Sequence, residues 1–523
     1  MLDRRFPRGV RVAAPFALLL ALLWILVGCG GEGSSSTTDA GPDPATLAPA
    51  GALGYVEATV RPQGEVRDGA AAAVRKVARV QDPGAALQKL VDRLLQDDAR
   101  LPDASYARDV EPWIGNRIGL SVQTPATGEG SPGVALIVAA RDREALRQEL
   151  ARNRRGGETR AGSVYHGVAY DLDSDDGSPN AAVGDFLVIA SSLSAFRATV
   201  DAWRGDSLAE DSRFQDAIGG VPDDALAFAY ADPKAIAAAV DRSPNAPPAA
   251  RRAFAGYRDA DPVIASLTAN ADEIAIEAIG ESKLADTEGS DGAVTVGQLP
   301  GDSWLALATP PIGPLLRDAL EGAGAHDRAA ALVRDNLGLD LDRDLLDPLG
   351  GLGAFARGES PLDLGGGVLL QLTDAAAAQR LLTRLQTLLA TGAHLPVQPA
   401  SGGGARGFQV GVPGSPQPIV VLAKGDQLAA GYAASSAQDL LDPQQRFDES
   451  SAGKAAIATL GDGYEPSLVV IVPPIAALLR ALSDIGITDP APAIPYVDAY
   501  RSLAVGTKRD GDRTTVRIVA ALR

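Results

Sequence analysis

The chain is written twice. Residues 49 to 284 lie over residues 299 to 523 with their motifs in one order, so the fold of the first half constrains that of the second. Each copy opens on a turn and a short apolar segment, Pro49-Ala-Gly-Ala-Leu-Gly-Tyr-Val-Glu-Ala-Thr59 and Pro300-Gly-Asp-Ser-Trp-Leu-Ala-Leu-Ala-Thr309. The closest pair follows. Arg108-Asp-Val-Glu-Pro-Trp-Ile-Gly-Asn-Arg-Ile-Gly-Leu120 answers Arg343-Asp-Leu-Leu-Asp-Pro-Leu-Gly-Gly-Leu-Gly-Ala-Phe355, each an acidic turn, a proline and a glycine-punctuated lead into a strand. Gly133 to Ala139 with a helix from Arg143 to Asn153 answers Gly367 to Thr373 with a helix from Ala375 to Ala390. Val183 to Ala190 with Ser191-Ser192 answers Leu422 to Gly431 with Ser435-Ser436. Both copies close in a hairpin, and Asp510-Gly511 is a type I′ turn signal in the last one.

The helices show a 3.6-residue period. Between 83 and 97, Leu87, Leu90, Val91, Leu94 and Leu95 recur at helical spacing, with Asp82 as N-cap and Pro83 in the first turn. Such a stripe is expected to lie on a sheet. Similar stripes run through Leu381, Leu382, Leu385, Leu388 and Leu389, and through Ile475, Leu478, Leu479, Leu482 and Ile485. Neighbouring strands joined by hairpins and interrupted by helices give an α+β fold of two homologous tandem domains, each a mainly antiparallel sheet with helices packed on one face. The repeats are expected over 47–284 and 299–523, with 285–298 as a polar linker. With 46% hydrophobic residues there is material for two cores of ordinary size.

The N-terminus reads as an address. Arg4, Arg5, Arg8 and Arg11 precede the apolar run Phe16 to Val27, the charged and apolar regions of a secretory signal over 1–28, too short to span a bilayer. Leu26-Val27-Gly28-Cys29 resembles the lipobox of bacterial lipoproteins at all four positions, which implies cleavage before Cys29 and lipid on its thiol. The other reading is an uncleaved anchor with an incidental cysteine, and either one puts the body outside the cytoplasm, on the outer face of the cytoplasmic membrane. Residues 29–46, rich in Gly, Ser and Pro, read as a flexible tether. The full chain has net charge −18, and removing four Arg and one Asp with the signal leaves −18 − 3 = −21. Such a balance excludes nucleic acid as a partner and leaves the Cys29 lipid as the membrane contact. Cys29 is the single cysteine, so its modification leaves no thiol for disulfides, metal sites or nucleophilic catalysis.

No catalytic motif stands out. His166, His326 and His394 lack metal-type spacing, and the surroundings of His326 and His394 read as solvent-exposed turns. Asp171, Asp173 and Asp175 form the best cluster for a hard cation, yet Asp176 stands where a calcium loop needs glycine and Ala182 where it needs glutamate. Asp340, Asp342 and Asp344 fail in the same way, with Leu345 at the glycine position. A solvated loop is the plainer reading of both runs. No cofactor is expected.

With the lipobox, the tether and the paired openings at Tyr55 and Asp302, the chain resembles a family of actinobacterial extracytoplasmic proteins known only as a domain of unknown function. The resemblance implies duplication and export and transfers no site residue. The expected function is a non-catalytic binding or interaction module of the cell envelope, with an envelope protein or a lipid as partner. The alternatives are a carrier of an apolar lipid or glycolipid in a cavity between sheet and helices, and a hydrolase with a dispersed site. A dry internal pocket larger than a few hundred cubic ångströms separates the carrier from the interaction module.

Overall fold

The computed structural model describes residues 41–523 except 97–102, 125–131, 282–291, 393–394, 413 and 487–492. The chain divides between Glu281 and Ser282 into two compact units, close to the expected end of the first repeat at 284.

The first unit holds β1 (Gly54–Thr59), β2 (Ile114–Gln123), β3 (Gly133–Ala140), β4 (Thr159–Tyr165), β5 (Val168–Asp173), β6 (Pro179–Val183), β7 (Phe186–Ala190), β8 (Ala227–Ala231), β9 (Val263–Ala269) and β10 (Glu273–Glu281). They pair in the order β10-β9-β8-β1-β2-β3-β7-β6-β5-β4, antiparallel at each step. The second unit holds β11 (Leu305–Ala308), β12 (Leu349–Arg357), β13 (Gly365–Leu372), β14 (Val397–Gly402), β15 (Ala405–Val410), β16 (Ile419–Lys424), β17 (Gln427–Tyr432), β18 (Glu465–Ile471), β19 (Tyr500–Asp510) and β20 (Arg513–Leu522). Their order is β20-β19-β18-β11-β12-β13-β17-β16-β15-β14, the first order with ten added to every strand.

The helices follow the same correspondence. In the first unit α1 (Gly64–Ala78), α2 (Pro83–Gln96), α3 (Arg143–Gly156), α4 (Leu193–Arg204), α5 (Ser212–Ile218), α6 (Pro233–Arg242) and α7 (Pro248–Ala255) separate the strands. Their counterparts are α8 (Gly313–Gly322), α9 (His326–Leu337), α10 (Ala375–Thr387), α11 (Ala434–Leu441), α12 (Ser451–Ala458), α13 (Val472–Asp484) and α14 (Ile494–Val497). Asp142 caps α3 and Asp374 caps α10, each accepting a backbone N–H three residues on.

The fold is α+β with antiparallel sheets, but the helices cover both faces of the strands rather than one. Successive strand side chains point to opposite faces. Ala135, Ile137 and Ala139 of β3 pack with Phe196 and Val200 of α4 and Phe214 of α5, while Val138 and Ala140 pack with Leu146 of α3. The second unit repeats this, Val421 and Ala423 of β16 meeting Ala378 and Leu382 of α10, and Val420 and Leu422 meeting Ala437 of α11. A strand covered twice needs no polar face, which is why 133–140 reads as unbroken apolar sequence.

Four further expectations are corrected. The tether ends and the fold begins earlier than 47, because Pro44–Thr46 form a 3₁₀ turn that buries Pro44 and Ala45, with Asp43 bound to Arg117 at 3.0 Å. Gly119 makes room for it, since a Cβ there would lie 2.7 Å from Pro44 and from the Tyr55 hydroxyl. Likewise the linker does not extend to 298, because Val296–Gln298 form the equivalent turn with Val296 and Gly297 buried. The stripe on α2 is covered by α1 and a turn at 106–110 rather than by the sheet, tied through Tyr106 N–H to Asp92 at 2.6 Å. Finally, the last hairpin turns at Gly511 and Asp512, and only Gly511 has a positive φ, as in a type II′ turn.

Candidate functional site

The acidic turn that made the closest match between the two copies is a π-type turn in each unit, Tyr106–Val110 and Leu341–Leu346. Such widened turns are rare and recur at functional sites. Both are built alike. Glu111 N–H donates to the Tyr106 carbonyl at 2.7 Å, and Asp347 N–H to the Asp342 carbonyl at 2.8 Å. Asp109 accepts from Ser105 N–H at 2.9 Å and from Arg108 Nε at 2.8 Å. Asp344 accepts from Asp340 N–H at 2.9 Å and from Arg343 Nε at 3.1 Å. The arginine in each pair, helped by the backbone donor and opposed by burial, holds both carboxyls below the usual aspartate value.

Each turn forms one wall of a cleft whose opposite wall is the capped helix, α3 or α10. The first unit's cleft encloses about 520 Å³. Its apolar lining is Leu95, Val110, Trp113, Leu146, Leu150 and Leu187, and Trp113 is fixed by an indole N–H donated to the Asp109 carbonyl at 2.7 Å. Arg108, Asp109, Glu149 and Arg152 stand at the polar side, Glu149 ion-paired with Arg152 and pushed up from its usual value by burial. The second unit's cleft encloses about 920 Å³. Leu339 and Leu381 lie among Arg343, Asp344, Arg380 and Arg384 there.

The first unit also buries a charged cluster. Glu57 is 5% exposed and accepts from Arg117 Nε at 2.6 Å and from the Tyr55 hydroxyl at 2.7 Å. Burial raises the Glu57 carboxyl above its usual value against the pull of Arg117, and burial with the Glu57 charge raises the Tyr55 phenol well above 10. Arg117 of β2 and the Tyr55 hydroxyl both donate to Glu57 of β1, so the cluster ties β1 to β2. Sequence reading passed over Glu57, although strand alternation sets it on the face of the buried Tyr55.

The residues proposed from sequence do not converge. Cys29 and His394 lie outside the described residues. Asp171 is buried on β5 in a two-pronged ion pair with Arg154. Asp173 accepts from Asp175 N–H at 2.8 Å within the following turn, and Asp175 is exposed. Among the described residues no group of three or more His, Cys, Asp or Glu is placed to hold a metal ion. His166 sits with Gly167 in a hairpin turn, both at positive φ, its ring 3.6 Å from Asp201.

His326 corrects the expectation of a solvent-exposed turn. At the start of α9 its Nε2 lies 3.1 Å from Asp342, which also accepts from Arg317 Nε at 3.2 Å. The Asp342 contact raises the His326 value above the usual 6.5, and His326 with Arg317 lowers that of Asp342. A raised histidine stabilises the fold below its unfolded value, about pH 6.5, and loses that contribution as pH rises through the folded value. A lowered aspartate contributes above its unfolded value, about pH 4, and loses it as pH falls through the folded value. The second unit is therefore expected to lose urea resistance as pH rises above about 6.5, the unfolded histidine value, and His326→Gln to flatten that loss. Equal slopes for the two proteins count against the pair.

No helix among the described residues is long and apolar enough to cross a membrane. No curated protein matches the chain. Structural comparison finds TP0453 in crystal form I at 11% identity over 46% of this chain and 78% of that one, and in crystal form IV at 12% identity over 47% and 83%, both at a TM-score of 0.25. The sequence profile that matches is that of a protein of unknown function, DUF3352, over residues 12–506. With nearly its whole length matched, the chain belongs to the DUF3352 family.

Proposed function

We propose that the protein is a lipid-anchored, extracytoplasmic binding protein of the cell envelope, held to the outer face of the cytoplasmic membrane through Cys29 and acting without catalysis. The observation that carries the binding reading is the cleft built twice, on a π-turn with the same Arg-Asp bonding and a helix with the same cap. A turn kept only for packing has no need to leave hundreds of cubic ångströms beside it in both copies. The lipobox supports the anchor.

A second reading, a carrier of an apolar lipid or glycolipid, draws on the first unit's cleft. Its Leu, Val and Trp lining suits an acyl chain or similar apolar group, although the cleft lies between helices and a turn rather than under a sheet. The anchor is tested by growing cells on an alkyne-tagged fatty acid. The wild-type chain is expected to take up the tag and Cys29→Ser to take up none. A tag that survives in Cys29→Ser, or is absent from the wild type, overturns the anchor.

A further inference from the structure

We infer that the second unit's cleft is an oxyanion site, holding a phosphate-bearing ligand between Arg380 and Arg384 of α10 and Arg343 of the π-turn. This names the ligand class for one of the two clefts and rests on the binding reading above.

The charge is the first observation. Arg343, Arg380 and Arg384 face Asp344 alone within the lining, a local balance of +2 in a chain of net −18. Asp344 is also already engaged, by Arg343 and by Asp340 N–H. The neighbouring acids are occupied as well. Asp340 accepts from Arg343 N–H, and Asp374 caps α10 through Ala377 N–H.

The second observation is that Arg380 and Arg384 have no partner of their own. Neither makes a side-chain hydrogen bond or an ion pair among the described residues; Arg380 only contributes at a distance to the lowered value of Asp344. They lie one helical turn apart, where like charges repel, so the unliganded protein carries a pair that a bound anion relieves. Guanidinium forks match the geometry of phosphate oxygens in two-pronged bonds, and two forks on one helix face can share one phosphate.

The third observation is the comparison between the copies. Counting from the caps Asp142 and Asp374, Arg384 takes the place of Arg152, Leu381 that of Glu149, and Arg380 that of Gln148. The register is secure, because Leu146 and Ala378 occupy one position and both are fully buried. In the first unit Arg152 is neutralised by Glu149. The second copy has leucine where that acid stood and a second arginine one turn before, while the buried face of the helix is kept. The difference falls on the cleft and leaves the core alone.

The test is calorimetric titration of the detergent-purified full chain with inorganic phosphate, then with short-chain phosphatidylglycerol and short-chain phosphatidylcholine below their micelle-forming concentrations. Phosphate binding that weakens about tenfold or more in Arg380→Gln/Arg384→Gln is expected, while Arg147→Gln, on the exposed face of α3, leaves it unchanged. Tighter binding of phosphatidylglycerol than of free phosphate through the same two arginines assigns the ligand to a lipid headgroup. Phosphate bound at least as tightly as the lipid assigns it to a soluble phosphate ester. Both outcomes support the site. No binding of either probe, or binding that the double variant leaves intact, overturns it. If the wild-type protein still carries a ligand from its membrane in that case, the binding reading stands and this assignment alone falls. The substituted side chains are exposed, so an unchanged thermal midpoint shows that any loss is one of binding.

Discussion

Arg117→Met destabilises the first unit by about 3–5 kcal/mol, seen as a fall of roughly 10 °C in its thermal midpoint. The arginine is the only cation on Glu57 among the described residues, and Glu57 is 5% exposed, so its removal leaves a buried carboxylate with a phenol for company. Asp43 loses a partner too, but it reaches solvent and contributes less. The informative comparison is with the whole cluster replaced. Tyr55→Phe/Glu57→Leu/Arg117→Met removes all three polar groups of the cluster together, and a well-packed apolar replacement of a buried ion pair is commonly neutral or stabilising. The triple variant should therefore recover most of the loss. A triple variant as unstable as Arg117→Met shows that packing of these side chains, rather than the stranded charge, sets the cost.

Phe214→Ala costs a similar amount, about 3–5 kcal/mol, by another route. Phe214 of α5 is 2% exposed and sits over the cross-strand pair Tyr55 and Tyr230 of β1 and β8. It meets them edge-on, with centroids at 5.8 Å and 84° for Tyr55 and 5.1 Å and 79° for Tyr230. Truncation leaves a void and removes these two aromatic contacts and a third, tilted one with Phe228 at 6.3 Å, each worth about 0.5–1.5 kcal/mol. Phe214→Leu keeps most of the volume and loses the edges, so it should cost less than half as much. Urea unfolding of the three proteins measures this, and equal losses in both variants contradict the packing account. Tyr55 joins the two predictions, because its ring belongs to the aromatic group and its hydroxyl to Glu57. Arg117→Met and Phe214→Ala are thus expected to be non-additive.

What could be read beforehand was whatever the chain states locally. Apolar runs such as 133–140 and capped periodic helices such as 83–96 are visible because burial and capping act over a few residues. The order of motifs in two copies was enough to imply one topology twice, and the strand orders agree. What escaped depends on contacts distant in sequence. Pro44–Ala45 looked like tether by composition, and is buried because Arg117, far along the chain, holds Asp43 and Gly119 leaves space. His326 sits in Ala/Gly-rich sequence and is held by Asp342. The π-turns were seen as the best-matched segment, but an Arg-Asp pair in a turn reads as solvated charge. Only the fold shows each pair beside a cleft.

Native mass spectrometry of the protein drawn gently from its own membrane tests the central claim most directly. The account predicts a chain that begins at Cys29, carries acyl chains there, and travels with a stoichiometric ligand that survives removal of the anchor. A chain that begins at Met1, bears no lipid and holds neither ligand nor partner polypeptide contradicts it.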